Sequence, residues 1–225
     1  MNSVWVLYGI ALLPLVPLFF WFRHKKYGAF KFLLPAAAGI LTVLITGFVQ
    51  NFLPLHLPGQ NAMKDLLFSV FVRVSLMEEL IRLLVLFLLF SFFPAVKILN
   101  QEKDLSLFFG APSGLAAGLG FAAGESVFYG LLDPGAALLR LVTAVPIHAA
   151  CGARIGSGLG QLRSHPVGGI VLFVTAYLIH AVYDLCIQNP VVPEFLSVFI
   201  ALAALATSLF NIFYGIQPAQ NRKPL

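Results

Sequence analysis

Long apolar stretches separated by short polar segments make up almost the whole chain. A helix needs about 20 apolar residues to cross the hydrocarbon core of a bilayer. Seven stretches approach or exceed that length, and they predict an all-α, polytopic bundle of about seven transmembrane helices. Their approximate positions are 3–22, 32–53, 66–93, 108–132, 137–159, 167–188 and 195–216. Because the connections are short, we expect a single transmembrane domain over residues 1–225, whose function lies within the bundle.

The composition excludes an ordinary soluble domain. Of the 225 residues, 60% are hydrophobic and 10% are charged, whereas a soluble domain carries about 25% charged residues. The net charge of +5 comes from short basic runs between apolar stretches. Such runs are typical of loops that face an anionic lipid surface. We therefore expect a multi-pass protein of the cell membrane whose partner is the lipid bilayer, and no binding of nucleic acid.

The basic loops also predict an orientation. With seven helices, most of them lie on the same side, and the positive-inside rule makes that side cytoplasmic. The N-terminus is then outside and the C-terminus is in the cytoplasm. The first basic cluster follows the first apolar stretch, which favours a retained helix over a cleaved signal peptide. The residues concerned are Arg23, Lys25, Lys26, Lys31, Lys97, Lys103, Arg154, Arg163, Arg222 and Lys223.

Several charged or ionisable residues lie inside the predicted membrane helices. A charge at the centre of a bilayer costs about 2.5–3.5 kcal/mol on insertion scales. The sequence tolerates this cost if these residues face one another across a shared, hydrated cavity. They are Glu78, Glu79 and Arg82 in the third stretch, Glu125 in the fourth, His148 in the fifth, and His180 and Asp184 in the sixth.

Helical spacing supports such a cavity. His180 and Asp184 are four residues apart and share one helix face. Arg82 follows Glu78 by four residues and Glu79 by three, so it can neutralise either carboxylate. We expect Arg82 to support the site as a counter-charge.

These side chains permit peptide hydrolysis, which needs an activated water, a proton donor for the leaving amine and stabilisation of the oxyanion. Glutamates and histidines can also ligate a divalent metal such as zinc, although the zinc signature HExxH is absent. The pattern leaves open whether a bare glutamate or a bound metal activates the water. The possible metal ligands are Glu78, Glu79, Glu125, His148 and His180.

Four short motifs follow one another on four apolar helices. The first is Glu78, Glu79 and Arg82; the second is a glycine-rich helix with Phe121, Glu125 and Tyr129; the third runs from Arg140 to His148; the last is His180 and Asp184. Their order resembles the PrsW family of membrane proteases, relatives of type II CAAX prenyl endopeptidases and bacteriocin-processing membrane proteins. The resemblance covers about residues 70–190, within a protease-like core at about residues 66–190.

The resemblance implies an intramembrane protease that cuts a membrane-anchored protein, such as an anti-sigma factor, near its extracytoplasmic side. Glu78 and Glu79 would supply the water-activating carboxylate. Glu125 and His148 would assist or bind a metal, and His180 and Asp184 would bind the oxyanion or complete a metal site. Tyr129 lies one turn after Glu125 and would support it.

Two other classes of protein fit the same pattern. Intramembrane carboxylates and histidines also form the proton relays of ion-coupled transporters, although the chain has no visible inverted repeat. A non-catalytic scaffold could instead bind a partner through glycine-rich helix faces. We expect those faces to serve close helix packing; they comprise Gly110, Gly114, Gly118, Gly120, Gly124, Gly152, Gly156 and Gly160.

Overall fold

The computed structural model describes residues 11–24, 29–54, 61–93 and 103–214, together with residues 6 and 9. These residues form helices and short connections without a strand, which confirms the predicted all-α class. Some predicted features lie outside the described residues, namely most of residues 3–10 and the loop cations Lys25, Lys26, Lys97, Arg222 and Lys223. The helices are α1 Leu15–His24, α2 Phe30–Gln50, α3 Ala62–Phe68, a π-helical segment Ser69–Leu76, α4 Met77–Phe92, α5 Lys103–Leu132, α6 Pro134–Val142, α7 Ala144–Gln161, α8 Pro166–Gln188 and α9 Glu194–Tyr214.

The helix lengths and the surface support a membrane protein. Within the described ranges, three helices are long and apolar enough to cross a bilayer: Phe30–Gln50, Pro166–Gln188 and Glu194–Ile212. Large apolar side chains on α1, α2 and α9 point outward, including Phe20, Phe48 and Phe199. In water this surface would be unfavourable, whereas lipid chains solvate it.

The third predicted helix is interrupted by a wider turn. Residues 62–92 are helical throughout, but the π-helical segment Ser69–Leu76 separates α3 from α4. A π-helical segment within a longer helix is rare and frequently lies at a functional site. The side chain of Gln50, on α2, donates a hydrogen bond to the backbone oxygen of Arg73 in this segment, at 3.1 Å. Thus α2 stabilises the irregular backbone immediately before the glutamate pair.

The prediction of one helix over 137–159 was wrong. The chain forms α6 and α7 instead, and between them Thr143 has φ −114° and ψ −76°. Pro146 explains the break, since its ring has no N–H to donate to the carbonyl of Val142 and would collide with that carbonyl in a continuous helix. Pro146 lies in the first turn of α7. Its missing N–H has no cost there, because the N–H groups of the first turn of any helix have no intrahelical partner. As a result, α6 is a separate short helix.

Glycines bring α5 and α7 into direct backbone contact. A methyl group at Gly114 would overlap the backbone oxygen of Gly152, and one at Gly118 would overlap the backbone oxygen of His148. The prediction that these glycines serve close packing is therefore confirmed. Because Gly118 allows α5 to approach His148, the packing also places Glu125, two turns further along α5, near that histidine.

Candidate active site

The structure brings the predicted polar residues of four helices into one cluster. Glu79 and Arg82 have no exposed surface, and His180, His148 and Glu78 are exposed by 1%, 2% and 6%. Buried charges are stable only when they are paired and hydrogen-bonded. The contacts within the cluster therefore show how each charge is satisfied.

Glu79 is fully engaged by its neighbours. Nη1 of Arg82 lies 2.6 Å from both carboxylate oxygens of Glu79, so Arg82 pairs with Glu79 rather than Glu78. Nδ1 of His180 lies 2.7 Å from Oε1 of the same carboxylate. Since an ionised carboxylate only accepts hydrogen bonds, Nδ1 of His180 carries a proton, and Nε2 is the ring nitrogen that a metal could bind when the ring is neutral.

The other ring nitrogen of His180 faces two further carboxylates. Nε2 of His180 lies 3.7 Å from Oε2 of Glu78 and 3.4 Å from Oδ2 of Asp184. The hydroxyl of Ser75 donates to Oδ2 of Asp184 at 2.9 Å. Ser75 was not among the predicted site residues, although it precedes Glu78 by three residues and therefore lies near the same helix face.

Glu125 forms the second half of the cluster. Nε2 of His148 lies 2.7 Å from Oε2 of Glu125, and Nη2 of Arg140 donates to that same oxygen. Nη2 of Arg82 lies 3.4 Å from Nδ1 of His148. Because an arginine can only donate, this contact makes Nδ1 the acceptor and assigns the proton of His148 to Nε2.

Aromatic rings lie between the residues around Glu79 and the residues around Glu125. The ring of Phe121 lies 4.3 Å from the guanidinium of Arg82 and 4.7 Å from the ring of His148. The two histidine rings are perpendicular, with centroids 4.9 Å apart. Tyr129, predicted to support Glu125, is 48% exposed and packs its ring against the guanidinium of Arg140 at 4.3 Å.

Three of the five candidate metal ligands are grouped closely enough for one ion. Ligand atoms of Glu78, His148 and His180 all lie within 4.8 Å of one another. Oε2 of Glu78 is buried and has no hydrogen-bond partner among the described residues. Two histidines and one carboxylate are a typical ligand set of a catalytic zinc site. The bond from His180 to Glu79 is also the usual outer contact of a metal-binding histidine. Both ring nitrogens of His148 have partners, so the residues fit a divalent metal if His148 exchanges its contact with Arg82 or Glu125 for the ion.

The other two candidate ligands have different partners. Glu79 is bound to Arg82 and His180, and Glu125 is bound to Arg140 and His148. These contacts distinguish two adjacent glutamates that the sequence presents as equivalent. Glu78 has an available oxygen, whereas Glu79 holds its neighbours in place.

Comparison with known proteins identifies the family of the chain. No curated protein and no solved structure matches the chain. A family model described as PrsW family intramembrane metalloprotease matches residues 24–210, which include every helix that contributes to the cluster. The chain therefore belongs to the PrsW family of intramembrane metalloproteases and is a membrane protease.

Proposed function

We propose that this protein is a metal-dependent endopeptidase that hydrolyses a peptide bond of a membrane-anchored protein at the Glu78 cluster. The observation that carries the proposal is the buried Oε2 of Glu78, which has no hydrogen-bond partner among the described residues and lies 3.7 Å from Nε2 of His180. A buried carboxyl oxygen without a hydrogen-bond partner is unfavourable away from water. A cation held by both atoms would remove that cost.

Glu78, His148 and His180 would hold the ion, with zinc as the expected metal. When bound, such an ion polarises a peptide carbonyl and makes a water molecule more acidic. Glu79 keeps the proton of His180 on Nδ1 and so directs Nε2 toward Glu78. Arg82 holds Glu79 in turn, and its charge neutralises that carboxylate.

Glu125 is the best-placed group to move the proton of the attacking water. Both hydrogen bonds described for Glu125, from Arg140 and His148, end on Oε2, and 17% of its side chain is exposed. Oε1 is then the oxygen that a water can reach. We assign Glu125 the role of accepting the water proton and returning it to the leaving amine. Asp184, held by Ser75, would stabilise positive charge beside His180.

Metal removal tests the proposal. We expect chelation of the purified protein in detergent to abolish cleavage of a fluorescent single-pass reporter, and added zinc to restore it. Metal analysis should find about one ion per chain in the active protein. Full activity of the metal-free protein would contradict the proposal and would favour a water activated by carboxylates alone.

The position of the cluster within its helices predicts where the substrate is cut. Glu125 lies seven residues before the end of α5 at Leu132, and Asp184 lies four before the end of α8 at Gln188. At 1.5 Å per residue, these ends are roughly 10 and 6 Å away, against roughly 30 Å for the opposite ends. Water therefore has a much shorter path to the cluster from one side. With seven helices and the N-terminus outside, as we propose from the basic loops, that side is extracytoplasmic.

A single-pass substrate should accordingly be cut near the outer boundary of its helix or just outside it. A membrane-tethered anti-sigma factor would be such a substrate. Mass spectrometry of the products from an oriented reporter measures the position directly. Tags at Gln60 and Lys223 should report opposite sides of the membrane. A cut in the cytoplasmic half of the substrate helix, with that topology established, would overturn this prediction.

A further inference from the structure

We propose that Arg140 binds the carbonyl oxygen of the scissile peptide and stabilises the negative charge that develops on it during hydrolysis. The inference rests on the proposed protease function of the same cluster. It concerns a residue that sequence reasoning did not include among the catalytic groups. Its support comes from the position, the bonding and the charge of the guanidinium.

Arg140 is held in place from two sides. Nη2 donates to Oε2 of Glu125, and the guanidinium lies over the ring of Tyr129 at 4.3 Å. It projects from α6, the short helix between Asp133 and Thr143 that directly follows α5 and contacts it. Its side chain is 16% exposed, so a substrate that enters from the outer side can reach it.

The guanidinium also has donors to spare. An arginine has five N–H groups, and Nε of Arg140 is buried with no hydrogen-bond partner in the described part of the chain. A buried donor without a partner is unfavourable. A substrate oxygen bound next to Glu125 would accept an N–H of this partly exposed guanidinium and give the side chain a further partner.

Two other arginines have an unpartnered Nε, but neither is as well placed. Arg82 has no exposed surface and lies between Glu79, Phe121 and His148, so a substrate cannot reach it. For Arg73, no contact described in residues 61–93 joins its side chain to a carboxylate of the cluster. Arg140 alone among the three combines a spare donor, access and a direct bond to Glu125.

The charges balance during the reaction. The oxygen of water bonds to the carbonyl carbon, and the electron pair of the C=O π bond moves onto the carbonyl oxygen, which accepts an N–H of Arg140. The water proton passes to Glu125, whose negative charge is lost as the oxyanion forms. Arg140 thus exchanges one anionic partner for another. The electron pair on the oxyanion then re-forms the C=O bond and the C–N bond breaks, with its electrons passing to nitrogen. Glu125 gives its proton to that amine nitrogen.

Kinetics of Arg140→Ala and Arg140→Lys test the inference. Loss of one oxyanion donor costs roughly 100-fold or more in kcat, and we expect that loss in Arg140→Ala with KM and zinc content unchanged. Added guanidinium ion should restore part of kcat. Arg140→Lys keeps the charge but not the planar set of donors, and should be intermediate. Arg23, exposed at the end of α1, provides the matched control Arg23→Ala, which should keep wild-type kinetics.

Several outcomes would overturn the inference. Wild-type kcat in Arg140→Ala would do so, as would a variant that loses zinc or folding stability and does not respond to guanidinium, because Arg140 would then be structural. If Arg140→Ala does not fold, the same criteria apply to Arg140→Lys. If the zinc-loaded wild type does not cleave the reporter, the proposed function is overturned and this inference with it. If Arg140→Ala cleaves the reporter at the wild-type rate, this inference alone is overturned.

Discussion

Replacing Glu78 with glutamine is expected to abolish cleavage and zinc binding together. Glutamine keeps the size of the side chain, but its amide is a poor metal ligand and carries no negative charge. The carboxylate has no arginine partner in the described structure, so its loss leaves no cation unpaired and the fold should persist. We expect activity to fall by roughly 10⁴-fold or more, as for other members of a catalytic unit. Reporter cleavage and metal analysis on the same preparation measure both effects.

Glu79→Gln is the comparison variant, one residue away on the same helix. Because it leaves Arg82 without its anionic partner and so lowers stability, it is assayed at a temperature at which its fold is intact. Glu79 acts on the metal only through His180, and loss of such an outer contact typically lowers metal affinity or activity about 10–100-fold. Excess zinc should therefore restore part of the activity of Glu79→Gln but none of Glu78→Gln. The opposite ranking would show that the two glutamates have exchanged roles.

Replacing Arg82 with methionine is expected to cause the largest loss of stability. Arg82 and Glu79 are both fully buried and paired at 2.6 Å. Removing one partner of a buried ion pair leaves an uncompensated charge and costs about 3–5 kcal/mol. The free energy of unfolding in detergent, or the melting temperature, should fall accordingly, whereas Arg23→Met on the exposed end of α1 should have little effect.

A double variant separates the ion pair from simple packing. In Arg82→Met, Glu79→Gln no buried charge remains at this pair, so the double variant should be more stable than Arg82→Met alone. Its activity should stay low, because His180 is no longer oriented. If Arg82→Met is as stable as the wild type while Glu79 is intact, the pair is not the element that holds the cluster together.

The helices could be predicted because their cause is local. A run of about 20 apolar residues has to satisfy its backbone within a helix if it is to lie in a bilayer. The break at Thr143 could also have been predicted, since Pro146 cannot continue a helix from the preceding turn. The π-helical segment Ser69–Leu76 could not be predicted from the sequence. It has no local sequence cause that we identify, and Gln50 from another helix binds its backbone.

Contacts between site residues of the same helix could be predicted from their spacing. His180 and Asp184 lie four residues apart, and Nε2 of His180 lies 3.4 Å from Oδ2 of Asp184. Arg82 could reach either glutamate from the sequence, and only the packed bundle selects Glu79. Arg140 was named as the start of a motif but given no role, and Ser75 was missed, because each meets its partner across elements. Arg140 contacts Glu125 after a helix end and a turn, and Ser75 contacts a residue 109 positions away.

The sequence by itself determined that the chain is an all-helical membrane protein with polar groups inside its helices, and that their order is that of the PrsW family. Composition and residue spacing suffice for these properties, because membrane insertion and one-helix geometry act over short stretches of chain. Only the tertiary structure decided which glutamate is available to a metal. Glu78 and Glu79 are chemically identical neighbours, and they differ solely in the partners that packing presents: Arg82 and His180 bind Glu79, and Oε2 of Glu78 is left without a hydrogen bond among the described residues.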